Sequence, residues 1–87
     1  MKVTAIMGDS IYSKRAMEML NALYTENPQY KKVKMIILDE SKDAQQIKSF
    51  DYMLAPAFFI GNKIAFCGMP TKKGIENVII RAMKLQD

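Results

Sequence analysis

Two serines, Ser10 and Ser13, stand where an apolar β run that ends at Gly8 changes into a helical pattern. A strand-to-helix corner presents unpaired backbone N–H groups and the positive end of the helix dipole to whatever group lies there. A cysteine at the start of such a helix has a lowered pKa, which suits it to thiol–disulfide exchange. A serine or aspartate in the same place acts as a helix N-cap. The residues alone therefore predict an N-cap at Asp9 or Ser10, and S-x-x-S by itself is a weak motif.

The composition excludes several classes of chemistry. The chain has one cysteine and no histidine, which excludes an intramolecular disulfide, a multi-cysteine zinc site, a Ser-His-Asp triad and a histidine metal site. We expect neither a metal nor a cofactor. Its 49% hydrophobic and 25% charged residues are typical of a globular protein, and the length predicts one domain over 1–87. Since the sequence has no membrane-spanning run and its first apolar run is too short for a signal peptide, we expect a cytoplasmic location.

The charge balance favours a solvated basic surface over a nucleic-acid site. The chain has 13 basic and 9 acidic residues, for a formal net charge of +4. Lysines cluster at Lys31, Lys32 and Lys34 and again at Lys72 and Lys73. A basic nucleic-acid-associated domain is therefore one hypothesis, but the sequence has no recognised nucleic-acid motif and no aromatic stacking platform. Because charge runs are usually solvated faces, we expect no nucleic acid and no membrane as partner.

The first half of the sequence has the pattern of a βαβ unit. Residues 2–7 are apolar on both faces of a strand, which is typical of the centre of a sheet covered on both sides. A helix is predicted over 13–26, since apolar side chains recur there at helical spacing, and Asn27-Pro28 ends it. A second apolar strand over 33–38 makes the pair of strands parallel with a right-handed crossover.

Two further helices are predicted on either side of a β-hairpin. The polar segment after the second strand opens a shorter helix over about 39–50, with Ala44 and Ile47 facing the core. Thr71 can cap a last helix that extends to about Leu85 and carries an apolar stripe.

The hairpin itself consists of two apolar runs, 57–60 and 63–67, joined by Gly61 and Asn62. Gly-Asn between such runs predicts a type II′ turn. The complete order is β-α-β-α-β-β-α, which predicts an α/β fold with a four-stranded mixed sheet and helices on both faces.

Two segments and this element order resemble the thioredoxin-like superfamily. The sequence S-I-Y-S-K-R-A at 10–16 is similar to the C-P-Y-C-K-R-A type of active-site segment of glutaredoxins and small thioredoxin-like proteins, with serine in place of both cysteines. The sequence P-A-F-F-I-G-N-K at 56–63 is similar to the "P-x-x-F-I-x-G-K" segment of the same family. The resemblance covers essentially the whole chain and implies a glutaredoxin-like thioredoxin fold.

The resemblance also implies roles for particular residues. In a redox-active parent, position 10 would be the attacking thiolate and position 13 the resolving thiol, so Ser10 and Ser13 mark the catalytic positions. Ala55 and Pro56 would form the family's cis-proline loop, close to the serines, and hold the backbone of an extended substrate. Tyr12 would shape the rim of the site. The implied partner is a protein or a small disulfide or thiol.

One departure from the family concerns glutathione. Members that bind glutathione carry a Gly-Gly-x-Asp type segment after the last strand, whereas this chain has C-G-M-P-T at 67–71, without an aspartate. No lysine comes shortly before Ser10 either. Both differences argue against glutathione as a partner, and short thioredoxin-like proteins of bacteria and archaea fit this ending better.

The second departure is the serine pair itself. A hydroxyl does not ionise in the range of a thiol and cannot form a disulfide, so the chain as written has no dithiol chemistry. Either the protein lost its cysteines and remains a non-catalytic peptide-binding or protein-binding module, or serines were introduced at a natural Cys-Ile-Tyr-Cys. We favour the second explanation, because the flanking residues still have the pattern of a redox site.

Cys67 is interpreted as a packing residue. Free cysteine is among the most buried residue types, and no flanking cation or base is evident beside this one. Strand alternation puts it on the same face as Ala65, so we expect a buried, slowly reacting thiol. Met7, Met53 and Met69 are expected to border the site and to offer an adaptable apolar surface.

Overall fold

The computed structural model describes residues 2–86. The chain folds into the elements β1 Lys2–Met7, α1 Ile11–Glu26, a 3-10 helix Pro28–Lys32, β2 Lys34–Asp39, α2 Ala44–Ile47, β3 Ala57–Ile60, β4 Lys63–Cys67 and α3 Lys72–Gln86. None of the helices in this range combines the length and the hydropathy that a membrane span requires.

The four strands form one mixed sheet in the order β2-β1-β3-β4. β1 is parallel to β2 and antiparallel to β3, and β3 pairs antiparallel with β4. The parallel register joins Val3 to Met35 and Met7 to Asp39. The predicted α/β class and the β-α-β-α-β-β-α order are confirmed, and the architecture resembles a glutaredoxin-like fold.

Helices α1 and α3 cover one face of the sheet and form the larger core with it. Their apolar residues recur at helical spacing, so each helix has one stripe that is removed from water. Removal of this apolar surface from water is the main favourable contribution to folding. The predicted stripes are confirmed, and the buried apolar residues of the two helices are Ala16, Leu20, Leu23, Ile75, Val78, Ile79 and Ala82.

The opposite face of the sheet, called here the thin face, has much less cover. Its core consists of Ile6, Leu38, Ala57 and Phe59, with Ile47, Phe50 and Tyr52 packed against it. The predicted helix over 39–50 is wrong in extent, since α2 is a single turn, and Ala44 is exposed instead of facing the core.

Side-chain hydrogen bonds explain the short α2. Asp39 Oδ1 accepts from the backbone N–H of Ser41 at 2.8 Å, and Asp43 Oδ2 accepts from the N–H of Asp39 at 2.8 Å. Aspartate side chains that bond nearby backbone groups offer the chain a turn in place of a helix. The segment before Ala44 is therefore a turn held by side-chain hydrogen bonds.

Helix α1 begins earlier than its apolar pattern predicts and ends where predicted. Ser10 is the N-cap, because its Oγ accepts from the N–H of Ser13 at 3.3 Å. At the other end the N–H of Asn27 donates to the carbonyl of Leu23 at 2.8 Å, and Pro28 follows.

The β3–β4 hairpin has the predicted turn. Gly61 has φ +62°, and no non-glycine residue of the described chain has a positive φ. A positive φ at the first central residue alone is typical of a type II′ turn. Beyond the turn, the register shifts between Phe58 and Phe59, which pair with Phe66 and Ile64, respectively.

The prediction that Cys67 is buried is wrong. The register shift leaves Ala65 between two paired residues as a β-bulge, so simple alternation does not hold along β4. Cys67 pairs with Ala57, a residue of the thin-face core. Because β4 is an edge strand and the cover of that face does not extend to its end, the thiol is exposed.

Gly74 in the first turn of α3 provides a test of how this helix packs against β4. A Cβ there would lie 2.6 Å from Phe66 Cε2 and 2.8 Å from the Oγ1 of Thr71, whose side chain accepts from the Gly74 N–H at 3.0 Å. Gly74→Ala should therefore lower the free energy of unfolding by about 1–2 kcal/mol, as overpacking does, despite the better helix propensity of alanine. Urea unfolding gives the value, and Asn77→Ala on the exposed side of the same helix is the control. An alanine variant as stable as the parent would contradict this packing.

Candidate functional site

The corner between β1 and α1 is held by the two serine hydroxyls. The N–H of Gly8 donates to Ser13 Oγ at 2.8 Å, and the N–H of Ser13 donates to Ser10 Oγ at 3.3 Å. The two sites differ in accessibility, since Ser13 is only 2% exposed whereas Ser10 is half-buried. The first position is thus open to a ligand, and the second lies behind it.

The helix N-terminus at Ser10 favours a negative charge. It lies at the N-terminal end of the 16-residue helix α1, whose first turn contains no acidic residue. The positive end of the helix dipole and the free N–H groups therefore lie at this position. The exposed basic residues Lys14 and Arg15 come shortly after it in the chain. The negatively charged carboxylate of Asp9 opposes this effect. A serine hydroxyl stays neutral here, so the side chain at position 10 supplies no anion to the helix N-terminus.

The loop before β3 lies against this corner. The Ala55–Pro56 peptide bond is cis, as the resemblance implies. A Cβ on Gly8 would stand 3.3 Å from Ala55 Cβ, and the carbonyl of Pro56 accepts from the N–H of Gly68 at 3.0 Å. Ala55 is half-buried and Pro56 is buried. The structure thus brings Ala55 next to Gly8, whose N–H donates to Ser13. Direct contact between Pro56 and either serine stays a prediction.

Glu40 is a neighbour of the site that the sequence analysis did not identify. The N–H of Glu40 donates to the Met7 carbonyl at 3.0 Å, and its Oε1 would be 2.5 Å from a Cβ on Gly8. The hydroxyl of Tyr52 donates to the same carboxylate. The parallel pairing of β1 and β2 could have identified Glu40 from the sequence, because the carboxyl ends of the two strands meet at one edge of the sheet.

Burial raises the pKa of Tyr52 to about 12, and the hydrogen bond to Glu40 adds to the effect. Next to this pair, a cavity of about 220 Å³ is lined by Gly8, Asp9, Asp39, Glu40 and Ser41. The pKa of Asp39 is lowered, first by the Ser41 hydroxyl and then by the Ser41 backbone N–H. Within the described residues, no three histidine, cysteine or carboxylate groups are arranged to hold a metal ion.

Three segments next to the corner carry exposed apolar side chains, which we call the apolar rim. A Cβ on Gly68 would lie 3.7 Å from Leu54 Cδ1, which brings the turn after β4 beside the loop before β3. The most exposed members are Met53 at 91% and Met69 at 69%. Met7 is buried and does not belong to the rim, which consists of Ile11, Tyr12, Met53, Leu54 and Met69.

Tyr52 gives a pH-dependent test of its bond to Glu40. Its folded-state pKa lies above the unfolded value of 10.0, so the stabilisation is complete below pH 10 and is lost as the pH rises toward 12. The parent and Tyr52→Phe are titrated with base while tyrosinate absorbance is recorded. The difference between the two curves isolates Tyr52 and should show one step near pH 12. Glu40→Gln should lower that midpoint, whereas Glu18→Gln on the exposed side of α1 should not. A Tyr52 step at pH 10 would contradict the bond.

In comparisons with known proteins, no family model, no curated protein and no solved structure matches this chain. The likeness to glutaredoxins therefore depends on the S-x-x-S and P-x-x-F-I segments and on the observed topology.

Proposed function

We propose that this protein is a small thiol–disulfide oxidoreductase of the thioredoxin-like kind in which serines occupy the two redox positions, so that this chain lacks dithiol activity. The observation that carries the proposal is the asymmetry of the serine pair. Ser10 is accessible at the N-terminus of α1, and Ser13 is 2% exposed and bonded to the Gly8 N–H. An attacking thiol needs access and a stabilised anion, and a resolving thiol needs to lie behind it.

The chemistry would belong to cysteines at these positions. A thiolate at position 10 attacks one sulfur of a substrate disulfide, forms a mixed disulfide and releases the first substrate thiolate. The thiolate at position 13 then attacks the sulfur of position 10, which closes the protein disulfide and releases the second substrate thiolate. The two electrons that reduce the substrate come from the protein dithiol. The N–H that now donates to Ser10 Oγ is available to the first thiolate.

The apolar rim supports a protein segment as the substrate. Ile11 and Tyr12 follow Ser10 in the chain, and Met53 and Leu54 precede Ala55, and all four are exposed. Exposed apolar side chains that lie close to a candidate site are typical of interaction surfaces. Glutathione is a small charged tripeptide, and the chain lacks the aspartate that the family uses for it. An extended apolar peptide, with its backbone along Ala55, fits the site better.

The rim also supports the second candidate function, a non-catalytic peptide-binding module. Its apolar side chains do not depend on sulfur, so a protein with natural serines would keep the same surface. The encoding gene separates the two explanations, because cysteine codons at positions 10 and 13 would mean that the serines were introduced.

Restoring the dithiol tests the proposal directly. Ser10→Cys with Ser13→Cys, in a Cys67→Ala background, should close to a disulfide and reduce a model disulfide. The thiol at position 10 should titrate below the free-cysteine pKa of about 8.5, because the helix N-terminus stabilises its anion. The measurements are a reductase assay and thiolate absorbance at 240 nm, the usual wavelength for thiolates.

Three single variants serve as controls for that experiment. Ser10→Cys alone should form a mixed disulfide that does not resolve, and Ser13→Cys alone should not react, since that position is buried. Thr25→Cys, exposed in the last turn of α1, should titrate at or above the free-cysteine value because the dipole there has the opposite sign. A folded but inactive double variant would contradict the redox hypothesis and favour the binding module.

The rim itself is tested in the restored dithiol protein. Met53→Ser should raise the KM for an apolar peptide disulfide about fivefold with little change in kcat, since partial burial of a methionine side chain contributes about 1 kcal/mol. Leu85→Ser, an exposed apolar residue on α3, is the matched control and should leave KM unchanged. Equal KM values for the two variants would show that the substrate does not contact the rim.

A further inference from the structure

The thin face of the sheet contains a second groove, far from the serine pair. It has a volume of about 410 Å³ and lies where β1 and β2 begin, whereas the corner lies where they end. Strand β1 separates the two sites by about 17 Å at the usual rise per residue. Its lining includes Lys2, Thr4, Ile36, Leu38 and Phe50.

The groove is a formed concave site. Thr4, Ile36 and Leu38 make its floor from two paired strands. Phe50 makes one wall, and its ring is held 4.8 Å from that of Phe59 at an interplanar angle of 57°. Because α2 is a single turn, no longer helix closes the groove. Its volume lies within the usual range of about 300–1,000 Å³ for small-molecule sites, which are mostly apolar with a few polar groups.

Two lysines stand side by side at one end of this groove. Lys2 lines it, and the parallel register pairs Lys2 with Lys34, so both side chains leave the sheet on the same face. Like charges directly opposite on neighbouring strands are unfavourable. The lining contains no acidic side chain, and neither lysine has a salt bridge to a described residue. An anion between the two ammonium groups would relieve this repulsion.

Asn62 adds a hydrogen-bond donor at the same end. It lines the groove, and the preceding Gly61 N–H donates to the Lys2 carbonyl at 3.2 Å, which holds the hairpin turn against the start of β1. The groove thus has Lys2 and an amide at one end, with Lys34 beside Lys2 and outside the lining. Ile36, Leu38 and Phe50 lie along its length, where Thr4, Gln46 and Ser49 add polar side chains. This distribution fits a ligand with one anionic head and an apolar body.

We propose that the groove binds a medium-chain carboxylate, with the carboxylate between Lys2 and Lys34 and the hydrocarbon chain along Ile36, Leu38 and Phe50. A nucleic acid would offer repeated phosphates and flat bases, which match neither the single pair of cations nor the aliphatic side chains of Ile36 and Leu38 in the floor. The proposal does not depend on the redox function, because the groove shares no lining residue with the serine corner.

Sodium decanoate, kept below its micelle concentration, is the probe. Titration followed by amide NMR should give saturable, one-site shifts centred on Thr4, Ile36 and Phe50, with little change at Met53 and Ile11. Acetate, which has the head without the chain, should give no shifts at the same concentrations. Shifts centred on the apolar rim, or shifts that do not saturate, would overturn the proposal.

Charge-removing variants test the head group. Lys2→Gln with Lys34→Gln should weaken decanoate binding about tenfold, since hydrogen bonds to a charged group are stronger than those between neutral groups. The same variant should change the binding of the neutral decanol less than twofold. Lys31→Gln with Lys32→Gln removes the same charge from exposed positions in the 3-10 helix and should have no effect. Equal decanoate affinity in both double variants would overturn the proposal.

Discussion

Strand β1 is hydrogen-bonded along both edges and buried from Val3 to Met7, and the positions of the other elements follow from it. It pairs with β2 on one side and β3 on the other, and Val3, Ala5 and Ile6 are completely buried. A backbone buried in this way must pair every N–H and C=O group, which only neighbouring strands can do over its full length. The rest of the chain packs around β1, with α1 and α3 on one face of the sheet and the segment from α2 to Tyr52 on the other.

The candidate site is a consequence of where β1 ends. Its last carbonyl, that of Met7, accepts from the Glu40 N–H, and the next residue, Gly8, donates to Ser13 Oγ. Gly8 has no side chain, and the space that one would occupy is filled by Glu40 and Ala55. The serine corner, the acidic end of β2 and the loop before β3 therefore meet at one residue, which explains why segments so distant in sequence form one site.

Unequal cover of the two sheet faces explains both the exposed thiol and the second groove. A parallel βαβ unit needs cover on both faces, yet the aspartates before α2 turn the chain and leave one helical turn there. Phe50 and Tyr52 cover the centre of the thin face by packing on Phe59. The start of β1 and the end of β4 remain open, so the groove and Cys67 lie at those places.

The sequence alone predicts the element order, the apolar stripes of α1 and α3, an N-cap at either Asp9 or Ser10, and the turn at Gly61, because each depends on local spacing or on one residue's backbone preference. Tertiary structure decided the length of α2, the bulge at Ala65 and the exposure of Cys67. It also decided that Glu40 joins the site and that Lys34 stands beside Lys2. These features depend on strand register and on which face of the sheet is covered, and register is an interaction between segments distant in sequence that no local pattern contains.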